Sequence, residues 1–128
     1  MPHTNPKPTA SELEILQVLW TRGPSTVREV YEVLGGKREI GYTSVLKLMQ
    51  IMTEKGSVRR NETQRAHVYE VCQPAEKTKR GLAADVLERV FDGSASELMM
   101  HALAGRRASK EEIAELRRLI NEYERKQS

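Results

Sequence analysis

What the 128-residue sequence lacks narrows it first. It has one cysteine, Cys72, so neither an internal disulfide framework nor a cysteine-cluster metal site can form. No apolar run approaches the roughly 20 residues that a bilayer span needs, which excludes membrane insertion through a helix. Met1–Pro8 is polar, carries Pro2, Pro6 and Pro8, and has no apolar centre. A secretory leader is therefore not expected, and the expected compartment is the cytoplasm. Aromatic residues make up only 5% of a chain that is 38% apolar and 30% charged, the composition of a helix-prone globular protein. The length suits one ordinary domain or two small ones, not a large α/β enzyme core with a deep cleft. Nucleophile-elbow, phosphate-loop and paired-ligand motifs are absent, so no catalysis is expected. His3, His67 and His101 lie far apart in sequence, and neither a metal nor another cofactor is expected.

The net charge of +3 says little by itself, but its distribution is uneven. Residues 37–67 hold Lys37, Arg38, Lys47, Lys55, Arg59, Arg60 and Arg65 against Glu39, Glu54 and Glu62, seven against three, a net of +4. A local basic stretch is the footprint of a nucleic-acid face, although a solvated surface of mixed charge would give the same count.

Helix signals punctuate the first half. The first eight residues read as a disordered arm. Thr9 and Glu12 then form a capping-box pattern ahead of Leu13, Ile15, Leu16, Val18, Leu19 and Trp20, and Gly23-Pro24 stops that helix. A second box, Thr26 and Glu29, opens a helix with Val27, Val30, Tyr31 and Leu34 on one face, ended by Gly35-Gly36. The same spacing returns as Val45, Leu48, Met49 and Met52, with Gly56 where a C-cap belongs. Ser57–Arg60 and Ala66–Val71 are short and partly β-branched, and they flank the polar run Asn61–Arg65. That pattern predicts a β-hairpin with a basic tip. Pro74 closes the unit and Ala75–Lys79 reads as a charged connector.

The remainder predicts three helices. Leu82, Val86, Leu87, Val90 and Phe91 form one amphipathic segment ended by Asp92-Gly93. Ser94 and Glu97 cap a short helix through Leu98, Met99, Ala102 and Leu103, ended near Gly105. Ser109 and Glu112 cap a last helix, whose Ile113, Leu116, Ile120 and Tyr123 make a short coiled-coil seam. Short helices in so small a segment bury their own apolar faces poorly, and a second copy would solve that. The expected dimer contacts are Leu82, Val86, Val90, Phe91, Leu98, Leu103, Ile113, Leu116, Ile120 and Tyr123.

Three helices followed by a hairpin is the order of a winged helix-turn-helix, in which the third helix enters the major groove. If Val45, Leu48, Met49 and Met52 face the core, then Thr43, Ser44, Lys47 and Gln50 face outward, a set suited to base edges and phosphates. Leu46 and Ile51 fall outside both groups. Arg59, Arg60 and Arg65 on the hairpin would meet phosphates, with His67 beside them. Thr26, Arg28, Arg38 and Tyr42 complete the candidate DNA face. Cys72 is expected as a small apolar filler at a strand end. The alternative reading is a winged-helix module that binds protein without specific DNA binding. The expected organisation is an arm (1–8), a winged-helix domain (9–74) and a helical dimerisation region (75–128), mainly α with a small β wing.

Several blocks in order then carry a resemblance. They are Glu12–Leu16 with Leu19-Trp20, Pro24–Val30, Tyr42–Leu46, Lys55–Val58, Arg65–Tyr69, Phe91–Ser94 and Glu112–Leu116. Together they resemble the penicillinase-repressor (BlaI/MecI) family across roughly residues 9–123. The resemblance implies a homodimeric transcriptional repressor of antibiotic-resistance genes that binds inverted-repeat operator DNA. It also implies release when a membrane-bound sensor metalloprotease, triggered by a β-lactam, leads to cleavage in the C-terminal region. The family's scissile Asn-Phe pair falls at His101-Ala102 here, so the residues at that bond differ. The C-terminal Cys-x-Cys cluster of a copper-responsive branch is missing from the tail Tyr123–Ser128.

Overall fold

A computed structural model describes residues 7–63 and 65–127. Most of the arm, His3 and Gln64 of the hairpin tip lie outside the described residues. The elements run α1 (Ala10–Arg22), β1 (Ser25–Thr26), α2 (Val27–Gly35), α3 (Tyr42–Lys55), β2 (Val58–Asn61), β3 (Val68–Val71), α4 (Ala75–Arg89), α5 (Ala95–Leu103) and α6 (Lys110–Gln127). This is the expected mainly helical chain with a small β wing.

Both predicted capping boxes form. The Thr9 hydroxyl accepts from the Glu12 amide, and the Glu12 carboxylate accepts from the Thr9 amide, each at 3.2 Å. At α2 the Thr26 hydroxyl accepts from the Glu29 amide (3.1 Å), and Glu29 accepts from the Thr26 amide (2.9 Å). These bonds satisfy amides that the first helical turn leaves without partners. Gly56 takes the left-handed conformation (φ 83°) at the end of α3, the C-cap role its position suggested.

The hairpin is part of a three-stranded antiparallel sheet of order β1-β3-β2, with Ser25 opposite Tyr69 and Val58 opposite Val71. The sequence reading missed β1. Two residues are too few for an alternating pattern. The extended backbone that Thr26 needs as an N-cap (φ −81°, ψ 165°) is already a strand conformation, so pairing with β3 adds little cost.

The core lies within residues 15–69. Ile15, Leu16, Val18 and Leu19 of α1 pack with Val27, Val30 and Leu34 of α2 and Val45, Met49 and Met52 of α3. Val58 and Tyr69 close it from the sheet. Leu48, placed with the core by its spacing, is half-buried against this cluster, and so is Leu46.

Two local expectations are corrected. Ala75–Lys79 is no connector but the first turn of α4, where the Pro74 carbonyl accepts from the Lys77 and Thr78 amides at 3.1 and 3.3 Å. The segment has no apolar stripe, yet Ala, Glu and Lys are good helix formers. The Lys79 ammonium sits over the Trp20 ring, 5.2 Å from its centroid, and holds this turn against α1. Cys72 is exposed rather than a buried filler, because it follows β3 with its backbone amide bonded to the Ser57 carbonyl at 3.0 Å.

Two compact units divide within α4, at residues 1–82 and 83–128. In the second unit α5 is capped by Ser94, whose hydroxyl accepts from the Glu97 amide at 3.2 Å. The Ser109 hydroxyl likewise accepts from the Glu112 amide (3.0 Å) ahead of α6. Asp92 and Gly93 both take positive φ (50° and 81°) after α4, and the Gly93 amide donates to the Leu87 carbonyl. Among the described residues of α4, α5 and α6 no side chain is fully buried.

Candidate nucleic-acid interface

The exposed side of α3 is set by its buried side. Val45, Met49 and Met52 are fully enclosed, which turns Thr43, Ser44, Lys47 and Gln50 outward. All four are exposed, as their spacing predicted. Thr43 and Ser44 lie in the first turn of a helix capped by Gly41 with no side-chain bond, so amides there remain available to an anion. Lys47 has no ion pair among the described residues.

A cation and two aromatic rings extend this surface. The Tyr42 ring meets Tyr31 edge-on (centroids 5.6 Å apart, planes at 78°), and the Arg28 guanidinium lies 5.4 Å from the Tyr42 centroid. Arg28 and Tyr42, predicted separately, are thus brought together. Tyr31 was read only as a core residue. It is half-buried and restrains the Tyr42 ring on which Arg28 rests. Thr26 is placed differently: its hydroxyl is occupied by the α2 cap, and its partner Glu29 also binds Arg22 at 2.8 Å. Glu29 is held below the usual carboxylate range, above all by the Thr26 amide; burial opposes this, and the Thr26 hydroxyl and Arg22 add to the lowering.

Carboxylates occupy several of the predicted DNA-contacting cations. Arg38 grips Glu14 of α1 with two bonds, Nε at 3.1 Å and Nη2 at 2.9 Å. On the wing, Arg59 pairs with Glu70 across the strands at 2.7 Å, and Arg60 lies 3.4 Å from Glu62. Glu70 raises the Arg59 pKa, and the Tyr69 hydroxyl, followed by Glu62, raises that of Arg60. His67 is exposed, with Nε2 3.6 Å from the same Glu62. Arg65 is exposed and unpaired among the described residues. Lys55, counted in the basic stretch, is drawn away from this face onto the buried carboxylate of Glu12 at 2.8 Å. Local periodicity could not reveal Glu14 and Glu70, because their partners are set by tertiary and cross-strand contacts, whereas Glu62 pairs locally, two residues from Arg60.

The predicted dimer residues show a different pattern. Val86, Val90, Leu103, Ile113, Ile120 and Tyr123 are exposed, Val90 at 67% and Tyr123 at 66%, while Phe91, Leu98 and Leu116 are half-buried. Leu82 is half-buried at the end of the first unit. Met100 and Leu119 are exposed apolar residues that the reading did not place in the seam. On the opposite side of α6, Arg118 bridges Glu115 and Glu122, and Glu115 above all drives the Arg118 pKa upward. His101 and Ala102 sit exposed on α5, the imidazole tilted against Phe91 with centroids 5.6 Å apart. No cluster of metal-binding side chains and no helix long and apolar enough to cross a membrane occurs among the described residues.

Comparison with known proteins agrees with this architecture. The family model "Penicillinase repressor" matches residues 8–122. Transcriptional regulator BlaI from two strains of Mycobacterium tuberculosis is 32% identical over 115 residues, covering 88% of this chain and 82% of the relative. Methicillin resistance regulatory protein MecI from Mammaliicoccus sciuri is 19% identical over 113 residues, covering 88% of this chain and 92% of the relative. A family match over nearly the whole length, on a winged helix with the predicted α3 surface, leads to one conclusion: the chain belongs to the penicillinase repressor family.

Proposed function

We propose that this protein is a homodimeric transcriptional repressor that reads an inverted-repeat operator with α3, while its wing grips the phosphate backbone. The observation that carries this reading is the outward set Thr43, Ser44, Lys47 and Gln50 opposite a fully buried stripe on the same helix. Hydroxyl, ammonium and amide groups there match the donors and acceptors of base edges in the major groove. The unburied apolar surface of α4–α6 supports pairing with a second copy, which would present two recognition helices to two half-sites. Release by a signal acting on the C-terminal region, through a membrane sensor metalloprotease, completes the reading. At His101-Ala102 such a protease would first have to unwind α5, where the Ala104 amide donates to the Met100 carbonyl at 3.1 Å.

Lys47→Ala and Thr43→Ala test the recognition surface. Each lost base contact should cost about 1–3 kcal/mol on the operator and much less on random duplex. Competitive titrations of both duplexes measure this. Equal losses on the two would show that these side chains read no sequence.

A further inference from the structure

We propose that a cavity of about 220 Å³ in the first unit binds a small carboxylate with a compact apolar body. The cavity lies between α1, the base of the wing and the first half of α4, and none of the candidate DNA residues lines it. Its floor is apolar, made by Leu16, Val71 and Leu82. Around it stand Ser57, Gln73, Lys77 and Thr78, whose side chains have no hydrogen-bond or ion-pair partner among the described residues. Among the described residues, the charged ones lining it are Lys7 and Lys77, both cationic, and no carboxylate lines it. Apolar walls with a few converging polar groups are what a small-molecule site requires. The volume is below the ~300–1,000 Å³ of drug-sized sites, so the occupant is a smaller acid.

Two features of α4 point the same way. Gly81 sits inside the helix with no positive φ, and a Cβ there would meet nothing within 4 Å. Neither backbone conformation nor close packing requires glycine, which weakens a helix interior relative to alanine. Gly81 is exposed and lines the cavity, so a large side chain here would stand at its rim. Lys77 lies in the first turn of α4, where a cation opposes the helix dipole, and an anion in the cavity would offset that repulsion.

The full-length, isotope-labelled protein is titrated by NMR with phenylacetate, using phenylacetamide and phenethylamine as neutral and cationic controls of the same shape. No DNA is present, so the outcome is independent of the operator reading. Phenylacetate should produce saturable shifts at the Leu16, Val71 and Leu82 methyls and the Thr78 amide, with both controls binding several-fold more weakly. Lys77→Gln should weaken phenylacetate binding. Gly81→Leu should abolish it, with a melting temperature equal to or above that of the parent, because the new side chain fills the space. Equal binding of phenylacetamide, undiminished binding to Gly81→Leu, or no saturation by phenylacetate would each overturn the proposal.

Discussion

At the scale of single residues, one carboxylate links distant parts of the winged unit. Glu12 is only 2% exposed and completes the cap of α1, yet both its oxygens also accept from the Lys55 ammonium, at 3.1 and 2.8 Å. Lys55 stands in the last turn of α3, one residue before the glycine that leads to the wing. The pair therefore fixes the far end of α3 against the start of α1. Lys55→Met keeps most of the packing but leaves the carboxylate unpaired. It should cost about 3 kcal/mol, the low end of the ~3–5 for a broken buried pair, because the Lys55 side chain retains 26% of its exposure. Adding Glu12→Gln should recover part of that loss, as the amide oxygen can still accept from Thr9. Urea unfolding of the three variants measures both effects. Half of this arrangement was legible beforehand: Thr9 and Glu12 are three residues apart, and the capping box is a local pattern. Lys55 is 43 positions away, and no periodicity connects it to Glu12. Cys72 was misread for a related reason: burial of cysteine is an average tendency, whereas this residue's place after β3 is set by the sheet.

Among the elements, the wing is the part whose chemistry differs most from its sequence. The sequence assigned Arg59, Arg60 and Arg65 alike to phosphate contacts. The sheet register places Arg59 opposite Glu70, and Glu62, two residues along the chain, pairs with Arg60, so two of the three already have carboxylate partners. If the wing meets DNA as proposed, binding would exchange a carboxylate for a phosphate, and exposed pairs of this kind are worth little in water, so the exchange would be cheap. Each phosphate contact should still contribute about one unit to the salt dependence of binding. The Arg60→Ala, Arg65→Ala double variant should lower that slope by roughly two units, equally on operator and random duplex. Titrations at several salt concentrations decide it, and an unchanged slope would place the wing away from DNA. Elements with strong periodicity were readable in advance, as α2 and α3 show. β1 and the first turn of α4 were not, since one has two residues and the other no apolar stripe.

For the whole molecule, the contrast between the two units decides what holds a repressor together. The winged unit has a closed core, from Ile15 to Tyr69. Residues 83–128 have none among those described, and they expose Val90, Met100, Ile120 and Tyr123 at 58–67%. Such apolar surface in water is unfavourable by roughly 25 cal/mol for each Å² that a partner could cover. The charged side of α6 around Arg118 keeps that helix amphipathic, with Ile113, Leu116 and Ile120 on the other side, the face that the proposed dimer would use. Leu116→Asp puts a carboxylate into that seam, where a dimer would have to bury it unpaired. The variant should sediment as a monomer at micromolar concentration, while the intact protein sediments as a dimer. Its winged unit is unchanged, so affinity for an isolated half-site should stay the same. Affinity for the full operator should drop by about 10²–10⁴, the advantage that linking two binding modules confers. Loss on both targets would mean instead that the substitution had damaged the DNA-binding surface. Full operator affinity in a monomeric variant would mean that dimerisation through α4–α6 is not what makes binding tight.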